Sequence, residues 1–219
     1  GGAGLKIFDV SDLEQPEAVG RFFTAVQANS VVLQGNQAYV MDVNTGFHVL
    51  DVSDPTSPVA LGDYESPNGA AAIAVKSHYV YLALNAPPTS ISISGPSLEV
   101  IAVATPDNPR LLGSVSLPGP ALTRLPLPGD LSVQVTALAV SGNLVLVGSE
   151  LNGLATVGIV DVSNAAAPRV VGRFDVPGTA QIARIDFQEP YAYLADANFG
   201  LRVLDLGNPA NPVQTGSFA

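Results

Sequence analysis

Apolar residues along this chain fall in short alternating runs bounded by Gly, Pro, Asn and Asp, the pattern of β-strands joined by turns. No window sustains a 3.6-residue period, and prolines interrupt every long stretch, so helix is disfavoured. The runs also repeat. Five segments align without gaps: KIFDVSDLEQPEAVG from Lys6, HVLDVSDPTSPVALG from His48, EVIAVATPDNPRLLG from Glu99, GIVDVSNAAAPRVVG from Gly158 and RVLDLGNPANPVQTG from Arg202. One position reads Asp9, Asp51, Ala102, Asp161 and Asp205, followed at fixed spacing by Pro16, Pro58, Pro109, Pro168 and Pro212. A glycine closes each copy, at Gly20, Gly62, Gly113, Gly172 and Gly216.

Between these cassettes lies a second shared pair of runs. One is SVVLQ at 30–34, AIAVK at 72–76, ALAVS at 137–141 and RIDFQ at 184–188; the other is AYVMD at 38–42, VYLAL at 80–84, VLVGS at 145–149 and AYLAD at 192–196. Each repeat therefore reads as four short strands, A to D. In strand A, Val31/Leu33, Ile73/Val75, Leu138/Val140 and Ile185/Phe187 point one way and mostly small residues the other. Spacings of 42, 51, 59 and 44 between successive copies of the aspartate position fit a four-stranded propeller blade of roughly 40–45 residues. The predicted fold is all-β, a β-propeller of four-stranded antiparallel blades. About four and a half blades are present: a half blade at 1–28, a blade at 29–66, a blade with a B–C insertion at 67–118, a blade after a D–A insertion at 119–178, and a final blade at 179–219.

The cassettes, together with QGNQAYVMDVNTG and QEPYAYLADANFG, resemble the LVIVD-repeat family, most specifically over Gly46 to Pro58 and Tyr191 to Pro212. The match is weaker in the third copy, where Ala102, Val103 and Ala104 stand in place of Asp-Val-Ser. The resemblance implies a β-propeller and an extracellular, periplasmic or cell-surface location, and it carries over no catalytic residues.

Composition narrows the function classes. A formal charge of −10 with only nine Lys and Arg lacks the electrostatic footprint of a nucleic-acid binder. No apolar run approaches the roughly 20 residues that span a bilayer as a helix, so membrane insertion is not expected. Cysteine is absent, which removes thiolate metal sites, disulfides and a Cys nucleophile. The start, Gly1-Gly2-Ala3-Gly4, has no Met or signal peptide and reads as a processed or partial chain.

The repeating Asp-Val-Ser-Asp/Asn reads as capping of the C–D turn, with proline setting φ before strand D and glycine permitting a bend or close approach. Asp42 and Asp196, at B–C turns, have too few neighbouring carboxylates for calcium and read as turn residues. His48 and His78 have no companion at zinc-ligand spacing. There is no GxSxG elbow and no phosphate-cradling glycine loop between a strand and a helix, so no metal or cofactor is expected. Arg184 and Asp186 are a candidate axial polar pair, read as a solvated or mutually paired couple.

Departures from the common spacing are more informative. Nine extra residues fall in a B–C loop at 85–97 and fourteen in a D–A loop at 117–132. B–C and D–A loops emerge at the same end of an up-and-down blade, so both insertions belong to one face and flank one junction. Pro87, Pro88, Ile91, Ile93, Leu122, Arg124, Leu125, Leu127 and Asp130 are the candidate partner-binding residues on these loops. The first blade has only its C and D strands, whose open edge and apolar face call for N-terminal strands outside this sequence or for another chain.

The expected function is a non-enzymatic extracytoplasmic binding or scaffold module that engages a protein or surface partner through one loop face. The alternatives are a structural subunit of a larger cell-surface assembly and, third, an axial-site lyase or hydrolase. That last reading needs converging carboxylates, and only Asp186 and Asp130 are available.

Overall fold

Short alternating strands with tight turns can bury their apolar faces only by stacking sheets, and the computed structural model shows that solution. It describes residues 4–24, 27–42, 45–66, 69–86, 95–119 and 132–219. Every helix or strand among them is a strand, and the strands form five antiparallel sheets. The first holds β1 (Leu5–Asp9) and β2 (Glu17–Phe22). The second runs β3 (Ala28–Gln34), β4 (Gln37–Asp42), β5 (Gly46–Asp51) and β6 (Val59–Glu65). The third runs β7 (Ala70–Lys76), β8 (Tyr79–Leu84), β9 (Ser97–Ala102) and β10 (Arg110–Ser116). The fourth is β11 (Gln134–Ser141), β12 (Leu144–Leu151), β13 (Leu154–Asp161) and β14 (Arg169–Asp175). The fifth is β15 (Ile182–Gln188), β16 (Tyr191–Asp196), β17 (Gly200–Asp205) and β18 (Val213–Phe218). Strand order within each four-stranded sheet follows the sequence. The innermost strands β3, β7, β11 and β15 pack on one another from sheet to sheet, the arrangement of a β-propeller.

Four apolar layers lie between successive blades. Ala38, Val40 and Leu50 pack on Leu5 and Phe22; Tyr39, Met41 and Phe47 on Ile73, Val80 and Leu82; Tyr81, Leu98 and Val100 on Val145 and Val147; Leu146, Val157 and Ile159 on Ile185, Phe187 and Leu194. A strand covered on both faces is buried almost throughout, as β8 is from Val80 to Leu84. The equivalent strand of the last blade, β16, alternates exposed and buried because only one of its faces is covered. Tyr39 is 1% exposed, whereas Tyr193, at the same repeat position, is 40% exposed.

The repeated residues have structural roles. Asp9, Asp51 and Asp161 accept hydrogen bonds from the amides of Ser11, Ser53 and Ser163 at 2.8, 2.8 and 2.9 Å, and Asp205 does so from Gly207 at 2.7 Å. The second polar position repeats the device, with Asp54 and Asn208 accepting from Thr56 and Ala210. These Asx turns hold the Asp9 and Asp51 carboxyls below the usual range through the Ser11 and Ser53 amides. Asp161 is lowered to about 2 by the Ser163 hydroxyl and amide, joined by Arg169.

The closing glycines are sites of close approach between blades. A Cβ on Gly20 would lie 1.9 Å from the Pro55 carbonyl oxygen, on Gly62 2.5 Å from that of Pro106, and on Gly172 1.8 Å from that of Pro209. Each of these contacts is the C–D turn of the next blade, so the motif glycine is where one blade seats on another. A β-bulge precedes it in every C–D pair, as at Val49/Leu50 and Val203/Leu204.

Candidate functional site: the loop-bearing face

The two insertions leave the propeller from stems that are bonded to each other. At one side the Ala86 amide donates to the Val133 carbonyl at 3.1 Å, and the Val135 amide donates to Asn85 Oδ1 at 2.7 Å. At the other, the Leu117 amide donates to the Pro96 carbonyl at 2.8 Å. Gly95 permits that approach, since a Cβ there would fall 1.7 Å from the Leu117 oxygen. Ala86, Val133 and Leu151 form a small buried cluster beneath the stems. The residues expected to make contacts, Pro87, Pro88, Ile91 and Ile93 on one loop and Leu122, Arg124, Leu125, Leu127 and Asp130 on the other, lie outside the described residues.

Two sequence features support this platform and were not singled out from the sequence. Asn152-Gly153, both with positive φ (52° and 79°), close a two-residue hairpin that makes β12 and β13 eight residues long and carries Leu151 up to the stems. Gly158 occupies the strand-C position held by Lys6, His48, Glu99 and Arg202 in the other blades. A Cβ there would meet Leu117 Cδ2 at 2.4 Å, so the missing side chain makes room for the residue that opens the second insertion. The asparagine–glycine dipeptide and the lone glycine in a charged column were the available signals.

That charged column builds two further clusters. In the last blade Arg202 Nε donates to Asp196 Oδ2 at 2.8 Å, with both side chains buried, and Nη2 donates to the Pro177 carbonyl at 3.2 Å. Burial raises the Asp196 carboxyl, but the amides of Asn198 and Gln181 together with Arg202 outweigh it and leave it lowered. In the second blade His48 takes the arginine's place, with Nε2 3.1 Å from Asp42 Oδ2 and Nδ1 3.4 Å from Asp63 Oδ1. Tyr64 donates across the blade junction to the buried Glu99 at 3.0 Å, and both burial and that carboxylate raise its phenol. Thus Asp42 and Asp196, read as turn residues, also hold the His48 imidazole and the Arg202 guanidinium on the neighbouring strand. Among the described residues no group of three His, Cys, Asp or Glu is arranged to hold a metal ion.

Arg184 and Asp186 both lie on the exposed side of β15, Arg184 opposite Ala195 and Asp186 opposite Tyr193 in the ladder. Among the described residues no ion pair joins them. They are solvated on the uncovered face of the last blade.

The sheets, their order and their stacking define a β-propeller. The computationally designed Ika8 protein is similar over 92% of this chain and 53% of its own, with a TM-score of 0.61 and 16% identity. The designed Ika4 protein matches over 84% of this chain and 94% of its own (TM-score 0.57, 17% identity), and BamB from Moraxella catarrhalis over 90% and 55% (TM-score 0.57, 15% identity). The chain thus spans about half the length of Ika8 and of BamB. Among curated proteins none matches. The LVIVD repeat matches residues 26–66, 134–176 and 178–219, and the chain belongs to that repeat family.

Proposed function

We propose that this propeller is a non-enzymatic binding or scaffold module, working outside the cytoplasm, that engages a protein or surface partner through the face carrying residues 85–97 and 117–132. The observation that carries this reading is the hydrogen-bonded union of the two loop stems at one blade junction. The two insertions, one within the third blade and one linking it to the fourth, share one footing, and rigid scaffolds commonly carry recognition on such loops. The lysine-poor, acidic composition favours a partner other than nucleic acid. Photo-crosslinking residues placed at Ile91 and Leu125 in the source cell test the reading, with a probe at Thr56, on a C–D turn, as the comparison. Adducts that form from the two loop positions and not from Thr56 are expected; adducts of equal yield at all three refute it.

A second reading, a structural subunit of a larger assembly, draws on the last blade. Tyr193 and Leu201 are about 40% exposed, whereas their equivalents Tyr39, Tyr81 and Leu146, and Phe47, Leu98 and Val157, are buried. Probes at Tyr193 that crosslink more strongly than those at Ile91 favour it.

A further inference from the structure

In the four complete blades one strand-C position, held by His48, Glu99, Gly158 or Arg202, faces the preceding blade. At three of these junctions the space around it is filled from within the chain. Arg202 spans its junction from Asp196 Oδ2 at 2.8 Å to the Pro177 carbonyl at 3.2 Å, with its guanidinium carbon 4.8 Å from the Phe199 ring centre. At Gly158 the space goes to Leu117. Glu99 receives the Tyr64 hydroxyl at 3.0 Å. The filler is therefore the strand-C residue itself, or a residue in or just after the preceding blade's strand D.

The junction at His48 differs. Its strand D is present as β2, and the Phe22 ring lies 6.1 Å from the imidazole, yet beside His48 remains a cavity of about 160 Å³. Asp42, Thr45, His48, Asp63 and Glu65 line it, among others. Asp42 is 1% exposed, and its Oδ1 has no hydrogen-bond partner among the described residues. The matching Asp196 Oδ1 accepts from the amides of Gln181 and Asn198. Register sets Asp42 and Glu65 on either side of Gly46, and Asp63 beside His48. Three carboxyl groups thus meet one imidazole, and among the described residues no Lys or Arg pairs with any of them. A buried carboxyl oxygen without a donor is costly, and it marks where a ligand's N–H would be stabilising.

We infer that this cavity is a binding site for a guanidinium group, carried by an arginine side chain or by a small guanidino compound. The repeat itself supplies the precedent: where Arg202 fills its junction with a guanidinium held by Asp196, the shorter His48 leaves beside Asp42 the room, the charge and the donor deficit of that group. A planar fork of donors can address several carboxyl oxygens at once, which an ammonium point charge does less well. Asp63, 67% exposed, and the exposed Glu65 stand where the cation enters. The inference is independent of the two insertions.

The test titrates the full chain with N-acetylarginine methylamide, its lysine counterpart, methylguanidinium and calcium chloride, followed by calorimetry and by NMR of the two histidine rings. Saturable binding of the arginine amide is expected, shifting His48 and not His78, with the lysine amide weaker by about tenfold or more. The double variant Asp63→Asn/Glu65→Gln, altered only at exposed positions, should bind about tenfold more weakly. His48→Arg should supply the guanidinium from within, abolish binding and melt no lower than the parent. A clear preference for the arginine amide over methylguanidinium assigns the site to an arginine side chain, and equal affinity assigns it to a small guanidino compound; both support the inference. Absence of saturable binding overturns it. So does a lysine amide or calcium ion that binds as tightly as the arginine amide, and so does binding that survives both the double variant and His48→Arg.

Discussion

The glycine that ends each motif offers a direct measure of how blades are coupled. Alanine at Gly172 would place a methyl 1.8 Å from the Pro209 carbonyl oxygen and 2.9 Å from its carbon, where ordinary contact needs more than 3 Å. The obstacle is backbone in the next blade's Asx turn, which is held by the Asn208–Ala210 and Asp205–Gly207 hydrogen bonds and cannot swing aside as a side chain can. Overpacking of this kind costs about 1–3 kcal/mol. Removing glycine's unfolded-state freedom returns about 0.5–1 kcal/mol. Gly172→Ala should therefore destabilise the chain by about 1–2 kcal/mol, a fall in Tm of roughly 2–8 °C for a protein of this size. Gly216 provides the internal control, because its motif position is the same but the nearest atom to a Cβ is Val203 at 3.8 Å. Gly216→Ala should leave Tm unchanged or raise it. Urea and thermal melts followed by circular dichroism read both variants against the parent. Equal shifts for the two, or a stabilised Gly172→Ala chain, would refute the assignment of these glycines to blade seating.

Two more outcomes follow from the charged groups. Arg202→Leu leaves the Asp196 carboxylate buried without its guanidinium and should cost about 3–5 kcal/mol in urea unfolding, while the double change with Asp196→Leu should recover a substantial part of that loss. Asp161 has a folded-state carboxyl lowered to about 2 against an ordinary 3.8, so its contribution is complete above about pH 5 and is lost progressively as pH falls through 3.8 and then through about 2. The difference in urea midpoint between the parent and Asp161→Asn should accordingly be constant from pH 5 to 7 and shrink steadily as pH falls towards 2, and a difference that grows on acidification would contradict it.

The fold was readable because the repeat fixes strand number and order at once. Each cassette supplies a C–D pair, each pair of runs between cassettes an A–B pair, and the turns carry residues whose backbone preferences are local. The Asx turns at Asp9 and Asp51 follow from short-range chemistry, and so were legible too, whereas the motif glycines were open between a bend and a close approach until Pro55, Pro106 and Pro209 of the next blades were placed against them. Exposure was not. Val31 and Ile185 carry the same kind of side chain at the same repeat position, yet one is open and the other buried, because the difference lies in the neighbouring blade and not in the residue. The Asp42–His48–Asp63 cluster escaped a search by metal-ligand spacing, since its members come from three strands brought together by register. Comparing columns across repeats, with His48 set against Arg202 and Gly158 against both, was the signal that would have found these sites.

The stitched stems of the two insertions also separate two kinds of evolutionary freedom. Asn85, Ala86, Pro96, Leu117 and Val133 close each loop's ends onto the other's before the chain leaves the sheets. Everything between those anchors can lengthen, shorten or change character without disturbing how β8, β9, β10 and β11 stack. On the proposed reading the pair is one replaceable cartridge, to be exchanged whole, grafted from a relative or diversified in a library, while the stacked blades beneath continue to fold by their own rules.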